Sequence, residues 1–142
     1  MLEEYRQVHR FRVAFGDVDM LGHVNNVAYV RWAETLRTEY FGDVLGERVG
    51  GARGMILART NVVYEKPIAY RENVAMGGRV AKIGGKSFEF EHEVWSEDRD
   101  ERCATIVCTL VAFDYEANRT IVVPDAWREK IAAFERTQAV TA

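Results

Sequence analysis

The chain is poor in the residues that make cross-links and metal cages. It has two cysteines and three histidines, with no CxxC, HExxH or three-histidine cluster. A disulfide framework, a redox dithiol and a zinc site therefore have no support, and no metal or cofactor is expected. Cys103 and Cys108 lie five apart in a strand-like run, which puts them on opposite faces as small buried hydrophobes. An excess of one charge is missing too. The formal net charge is −3, which gives no reason to expect nucleic acid or an acidic membrane as partner, although a local basic patch for a phosphorylated ligand is compatible with it. No window approaches the roughly eighteen apolar residues of a membrane span. The opening MLEEYRQV has no secretory pattern, so the cytoplasm is the expected location. Repeats, linkers and low-complexity stretches are also missing, and residues 1–142 read as one domain.

What is present is enough for a core: 48% of the residues are apolar, an ordinary share for a globular chain of this length. The stretch Phe15 to Phe41 organises the rest. Two acids, Asp17 and Asp19, precede a tight turn at Met20-Leu21-Gly22, then His23 and the pair Asn25-Asn26. Beyond the pair, Tyr29, Ala33, Leu36 and Tyr40 recur at helical spacing, which predicts a helix over about 27–42 with Asn25 or Asn26 as N-cap. A carboxylate, an imidazole and a helix start thus converge within eight residues.

The flanking segments read as strands. Residues 5–16 alternate, with Tyr5, His9, Phe11, Val13 and Phe15 on one face. Further strands are expected over 55–66, ending before Pro67, over 73–83 with a bulge or bend at Gly77-Gly78, over 86–96 with Phe88, Phe90, His92 and Val94 on the core side, and over 102–114. The last of these is apolar on both faces and needs a second cover, for which another copy of the chain is the natural candidate. Asp125 is expected to cap a short helix carrying Trp127, Ile131 and Phe134, followed by a frayed end at about 136–142. The order strand, long helix, four strands implies an α+β fold, five antiparallel strands wrapped around one helix, with a short C-terminal helix.

That order, with Phe15-Gly16-Asp17-Val18-Asp19, Gly22-His23-Val24-Asn25-Asn26 and Tyr29, resembles the hotdog-fold acyl-CoA thioesterases of the 4-hydroxybenzoyl-CoA thioesterase type. Tyr64, Pro67 and the turn Gly85-Lys86-Ser87 extend the resemblance over nearly the whole chain. It implies hydrolysis of an acyl-CoA to free acid and CoA without cofactor, by a homodimer, often paired into a homotetramer, with active sites between subunits. The family's catalytic carboxylate falls on Asp19 and its helix-start amide on Asn26. Gly22 lets the chain reverse beside the substrate, and Asn25 and Asn26 together supply the cap and the donor platform. His23 matches the histidine of the plant acyl-carrier-protein thioesterases, but Leu21 stands where that family has Asn. This argues against transferring its Asp/Asn/His set whole, and His23 is assigned equally to assistance and to structure. Lys86 and Ser87 match the turn that meets the nucleotide end of the ligand; Arg59, Arg79 and Lys82 read as solvated sheet-edge charges.

The chemistry agrees with this assignment. A thioester is cleaved through an oxyanion that fixed amides at a helix start stabilise, and Asp19 can attack the carbonyl or activate water. Asp17 reads as structural. Glu34 is expected to pair on the surface with Arg31 or Arg37, and His92 to be a core residue; Tyr29 and Trp32 fit the core as well as an acyl pocket. Two other readings remain open: a different hotdog acyl-thioester enzyme, such as a carrier-protein thioesterase, hydratase or dehydratase, or a non-catalytic acyl-CoA binding module.

Overall fold

A computed structural model describes residues 1–136; the frayed end expected near the C-terminus lies, save its first residue, outside them. The chain forms strand β1 (Gln7–Arg12), a 3-10 turn at Phe15–Asp17, helix α1 (Asn26–Asp43), strands β2 (Arg53–Tyr64), β3 (Asn73–Ile83), β4 (Ser87–Ser96) and β5 (Glu101–Asp114), a two-residue strand β6 (Arg119–Thr120) and helix α2 (Asp125–Glu135). The sheet is antiparallel throughout, in the order β1-β3-β4-β5-β2, with β6 added to β5. This is the expected hotdog architecture: a sheet around one long helix, with a short helix at the end. β6 is too short to leave a pattern in the sequence.

The helix buries the predicted stripe, Tyr29, Ala33, Leu36 and Tyr40, against Phe88, Phe90, Ile106 and Leu110 of the sheet. Asn25 is its N-cap: its side-chain oxygen accepts the Val27 amide at 2.9 Å. Four local expectations change. Phe15 is 79% exposed because β1 ends at Arg12 and the 3-10 turn breaks the alternation. Tyr5 lies before β1 and packs with Leu2 and Ala75 in a separate cluster. Gly77 and Gly78 form no bulge; the register of β3 with β4 shifts between Val80 and Lys82 instead. The glycines serve close packing: a Cβ on Gly78 would sit 2.1 Å from a Leu36 methyl and 2.8 Å from the Phe90 ring. Asp125 is the first helical residue of α2 rather than its cap, which is Pro124.

Cys103 and Cys108 are free and buried, as expected, but both belong to the main core. The pairing of β4 with β5 slips between Val94 and Trp95, leaving Cys103 out of register between Arg102 and Ala104. That irregularity resets the alternation, so an odd spacing no longer means opposite faces.

β2 lies at the edge of the sheet. It is twelve residues long and carries Ile56, Leu57, Val63 and Tyr64 exposed. A long edge with apolar side chains and unpaired backbone groups is a template for another strand.

Candidate active site

The site begins where two loops are tied to the helix start. The Asp19 amide donates to His23 O at 3.0 Å, and Gly22 N donates to Asp19 O at 3.1 Å, closing the turn. Gly22 holds φ +84, a conformation open to glycine at little cost. The Asp19 carboxylate is half-buried, and its Oδ1 accepts the Leu21 amide at 2.9 Å; its other oxygen has no protein partner among the described residues. Asp17 is structural. Its carbonyl accepts the Asn25 amide at 2.7 Å, and its carboxylate accepts from Arg31 at 3.0 Å. Arg31 is thereby taken from Glu34, against the surface pairing read from spacing.

The Asn26 amide is the first of the helix, and among the described residues it donates to nothing. It is a free donor at the positive end of an eighteen-residue helix. The Asn26 carbonyl is engaged from outside by the Tyr64 hydroxyl at 2.9 Å, and the Tyr64 ring packs edge-on against Tyr29. Burial pushes the Tyr29 phenol up to about 12, so it stays neutral at ordinary pH. His23, Asn26, Tyr29, Tyr64, Lys66 and Pro67 wall a cleft of about 260 Å³. Asp19 is on the adjoining turn and is not one of its walls within a single chain.

Lys86 and Ser87 are not brought to this cleft in one chain. Ser87 pairs with Val111, whereas Tyr64 pairs with Ala104; seven residues of β5 separate the two rungs, roughly 24 Å. Tyr64 and Lys66 are the functional candidates that sequence reasoning left without a role. No periodicity marks Tyr64, because its contact spans 38 positions.

The far wall is fastened by Glu72. Its carboxylate accepts from the Ala69 amide, from Ser96 Oγ at 2.8 Å and from Arg99 Nε at 2.7 Å, while Arg99 Nη2 donates to Pro67 O at 2.6 Å. Burial alone would raise the Glu72 pKa, but these donors outweigh it and hold the group below 4.5. A carboxylate depressed in the folded state stabilises it above the unfolded pKa, and that contribution is lost as pH falls through the folded value. As pH falls below the ordinary carboxylate range, the urea midpoint is therefore expected to drop more steeply in the wild type than in Glu72→Gln. Equal slopes would show that Glu72 does not carry this linkage.

Residues 13–131 match the model of the thioesterase-like superfamily. The chain belongs to that superfamily. This hydrolase cleaves thioesters, and its fold is shared with solved structures. A thioesterase from Thermus thermophilus, complexed with coenzyme A and zinc, is 32% identical, with a TM-score of 0.85 over 96% of this chain and 98% of that one. The PA5185 protein of Pseudomonas aeruginosa PAO1 is 27% identical, with a TM-score of 0.84 over 93% of each chain. BH1999, a gentisyl-coenzyme A thioesterase, shares the fold at 21% identity, with a TM-score of 0.79 over 89% of this chain and all of that one. No curated protein matches the hydrolase in sequence. Among its described residues, no three His, Cys, Asp or Glu side chains gather as a metal site, and no helix is long and apolar enough to cross a membrane.

Proposed function

We propose that the hydrolase is an acyl-CoA thioesterase of the 4-hydroxybenzoyl-CoA thioesterase type, with Asp19 as nucleophile or general base and the Asn26 amide as oxyanion donor. The free amide of Asn26, a residue at the head of the helix that lines a cleft, is the observation that carries this reading. A thioester carbonyl set on that amide gains a preorganised donor as its oxygen becomes an anion. Such a donor is worth on the order of 3 kcal/mol of barrier. The carboxylate of Asp19 has one oxygen committed to its turn and the other available to attack or to take a proton from water. His23 joins turn to helix and orients the segment between them.

The working unit is a homodimer formed along β2. Antiparallel pairing of two such edges about a two-fold axis places the start of one strand opposite the end of the other. The helix start of one copy then faces the opposite end of its partner's sheet, where Lys86 and Ser87 lie. Their separation from Asn26 within one chain suits a role toward the CoA of the other copy's site, or of a neighbour in a tetramer. The binding of coenzyme A by the Thermus thioesterase supports acyl-CoA as the substrate class, and the cytoplasm, where acyl-CoA is made and used, is the proposed location.

The test is release of free CoA thiol from a panel of short, long and aryl acyl-CoAs, with the native mass measured alongside. Thiol release by a dimer or tetramer is expected. Tight acyl-CoA binding without thiol release would identify a binding module, and enoyl formation a hydratase or dehydratase.

A further inference from the structure

Arg37 is a buried charge with no ion pair among the described residues. The helical spacing that buries Ala33 and Phe41 also places Arg37 inward, and it is 6% exposed, the one lysine or arginine so buried among the described residues. Of its five N–H donors, one is used among the described residues, from Nη1 to Cys108 Sγ at 3.4 Å. The two titratable side chains packed on its buried side, His92 and Cys108, offer no anion. Burial, with Arg37 close by, holds the His92 imidazole down at about 3 against a weaker pull from the Gly77 backbone, so it is neutral; burial likewise pushes the Cys108 thiol up. An isolated buried cation is costly unless something negative meets it.

Arg37 lines a cavity of about 270 Å³ between α1 and the start of β2, walled also by Phe41, Leu57 and Leu110. Arg48 and Arg53 also line it, but Arg53 is committed to Glu47 at 2.8 Å. Glu34 is the one acid on its wall, and it makes no ion pair among the described residues. We propose that this cavity receives the carboxylate of an otherwise apolar molecule, either the far end of a dicarboxylic acyl group or a free dicarboxylic acid. The planar fork of arginine matches two carboxylate oxygens, and the walls suit a hydrocarbon chain. A phosphate group, with more charge to neutralise, would meet Arg37 and Arg48 against Glu34.

The acyl source rests on the acyl-CoA reading. Along one helix, Arg37 lies eleven residues past Asn26, roughly 16 Å, within reach of a long acyl chain. Across a β2-paired dimer the cavity faces the helix start of the other copy, within reach of a shorter one.

The experiment has two arms, on the full chain and on Arg37→Met and Arg37→Lys. In the first, glutarate and inorganic phosphate are titrated by calorimetry and by thermal shift. Glutarate is expected to bind and stabilise the wild type, to do so weakly in Arg37→Lys, and not to bind Arg37→Met. Without ligand, Arg37→Met should melt no lower than the wild type, because it removes an unpaired buried charge. In the second arm, thiol release is compared for glutaryl-CoA against pentanoyl-CoA and for decanedioyl-CoA against decanoyl-CoA. If the acyl group is the source, the wild type favours one dicarboxylyl partner by about tenfold or more in kcat/KM, and Arg37→Met loses that ratio. Arg37-dependent glutarate binding with no thiol release from any acyl-CoA would leave the cavity standing while the acyl-CoA reading fails. Binding of phosphate but not glutarate overturns the proposal, as does a failure of both to bind. So does an Arg37→Met chain that loses its dimer, since the missing anion would then be a carboxylate of the second copy.

Discussion

Asp19→Asn is expected to lower kcat for acyl-CoA hydrolysis by about 10²–10⁴-fold while leaving the melting temperature and CoA affinity nearly unchanged. The fold should tolerate the change because the structural work of this side chain is done by one acceptor oxygen. Oδ1 holds the Leu21 amide, and the carbonyl oxygen of an asparagine is an equally competent acceptor at that place. The remaining contacts, to His23 O and from Gly22 N, are main chain. The substitution removes the negative charge and the second oxygen, which are the parts a nucleophile or general base needs. Asp17→Asn is the companion control. It weakens an ion pair to Arg31, whose own side chain is 55% exposed, a loss of at most about 1 kcal/mol, and should leave turnover largely intact. Thiol release under saturating substrate, together with CoA titration, checks both variants. Undiminished turnover in Asp19→Asn would remove Asp19 from the chemistry. Turnover in heavy-oxygen water then tests its two roles: attack by Asp19 expels CoA and forms a mixed anhydride, and water opening that anhydride at the Asp19 carbonyl labels the Asp19 carboxyl, whereas activation of water labels only the released acid.

Gly78→Ala should destabilise the chain by about 3 kcal/mol, which corresponds to a fall in melting temperature of roughly 10 °C. The added methyl has nowhere to go. It would lie 2.1 Å from Leu36 Cδ2, 2.8 Å from the Phe90 ring and 3.3 Å from His92 Nδ1. Leu36 is fully buried and Phe90 nearly so, and Phe90 is packed edge-on against Tyr40 at 4.9 Å. Relief therefore means moving α1 away from β3 or forcing side chains off their rotamers. Gly85→Ala is the control, since a Cβ there meets nothing within 4 Å and no positive φ is involved; it should change stability by less than about 0.5 kcal/mol. Urea unfolding of the three proteins decides it. Near-equal midpoints for Gly78→Ala and the wild type would mean that the helix rides on the sheet more loosely than these distances require.

Much of the fold was legible because its signals are periodic and local. The stripe Tyr29, Ala33, Leu36, Tyr40 placed α1, and the pair Asn25-Asn26 marked its start by cap chemistry, with the structure choosing Asn25 as the cap. The alternation from Phe88 to Val94 placed β4, and the apolar run of β5 pointed to a strand inside the sheet. Where the reading slipped, a single local feature overrode the period. The 3-10 turn at Phe15 ended one alternation, and the irregularity at Cys103 reset another. Gly77 and Gly78 carry no mark that separates a bulge from a close contact, because both uses need the same missing side chain.

By itself, the sequence determined the α+β order, the helix and the asparagine pair that starts it, and the short segment in which an acid, an imidazole and a helix start are neighbours. All of these follow from residues within a few positions of one another, where spacing is geometry. The tertiary structure alone decided which donors are left free and which charges are left unpaired. Tyr64 reaches Asn26 across 38 positions and Arg37 meets Cys108 across 71, and Arg37 lost its surface role because the helix turned that face inward. Hydrogen-bond partners and burial are properties of the assembled layers, so a helical repeat can show which way a side chain points but not what it finds there.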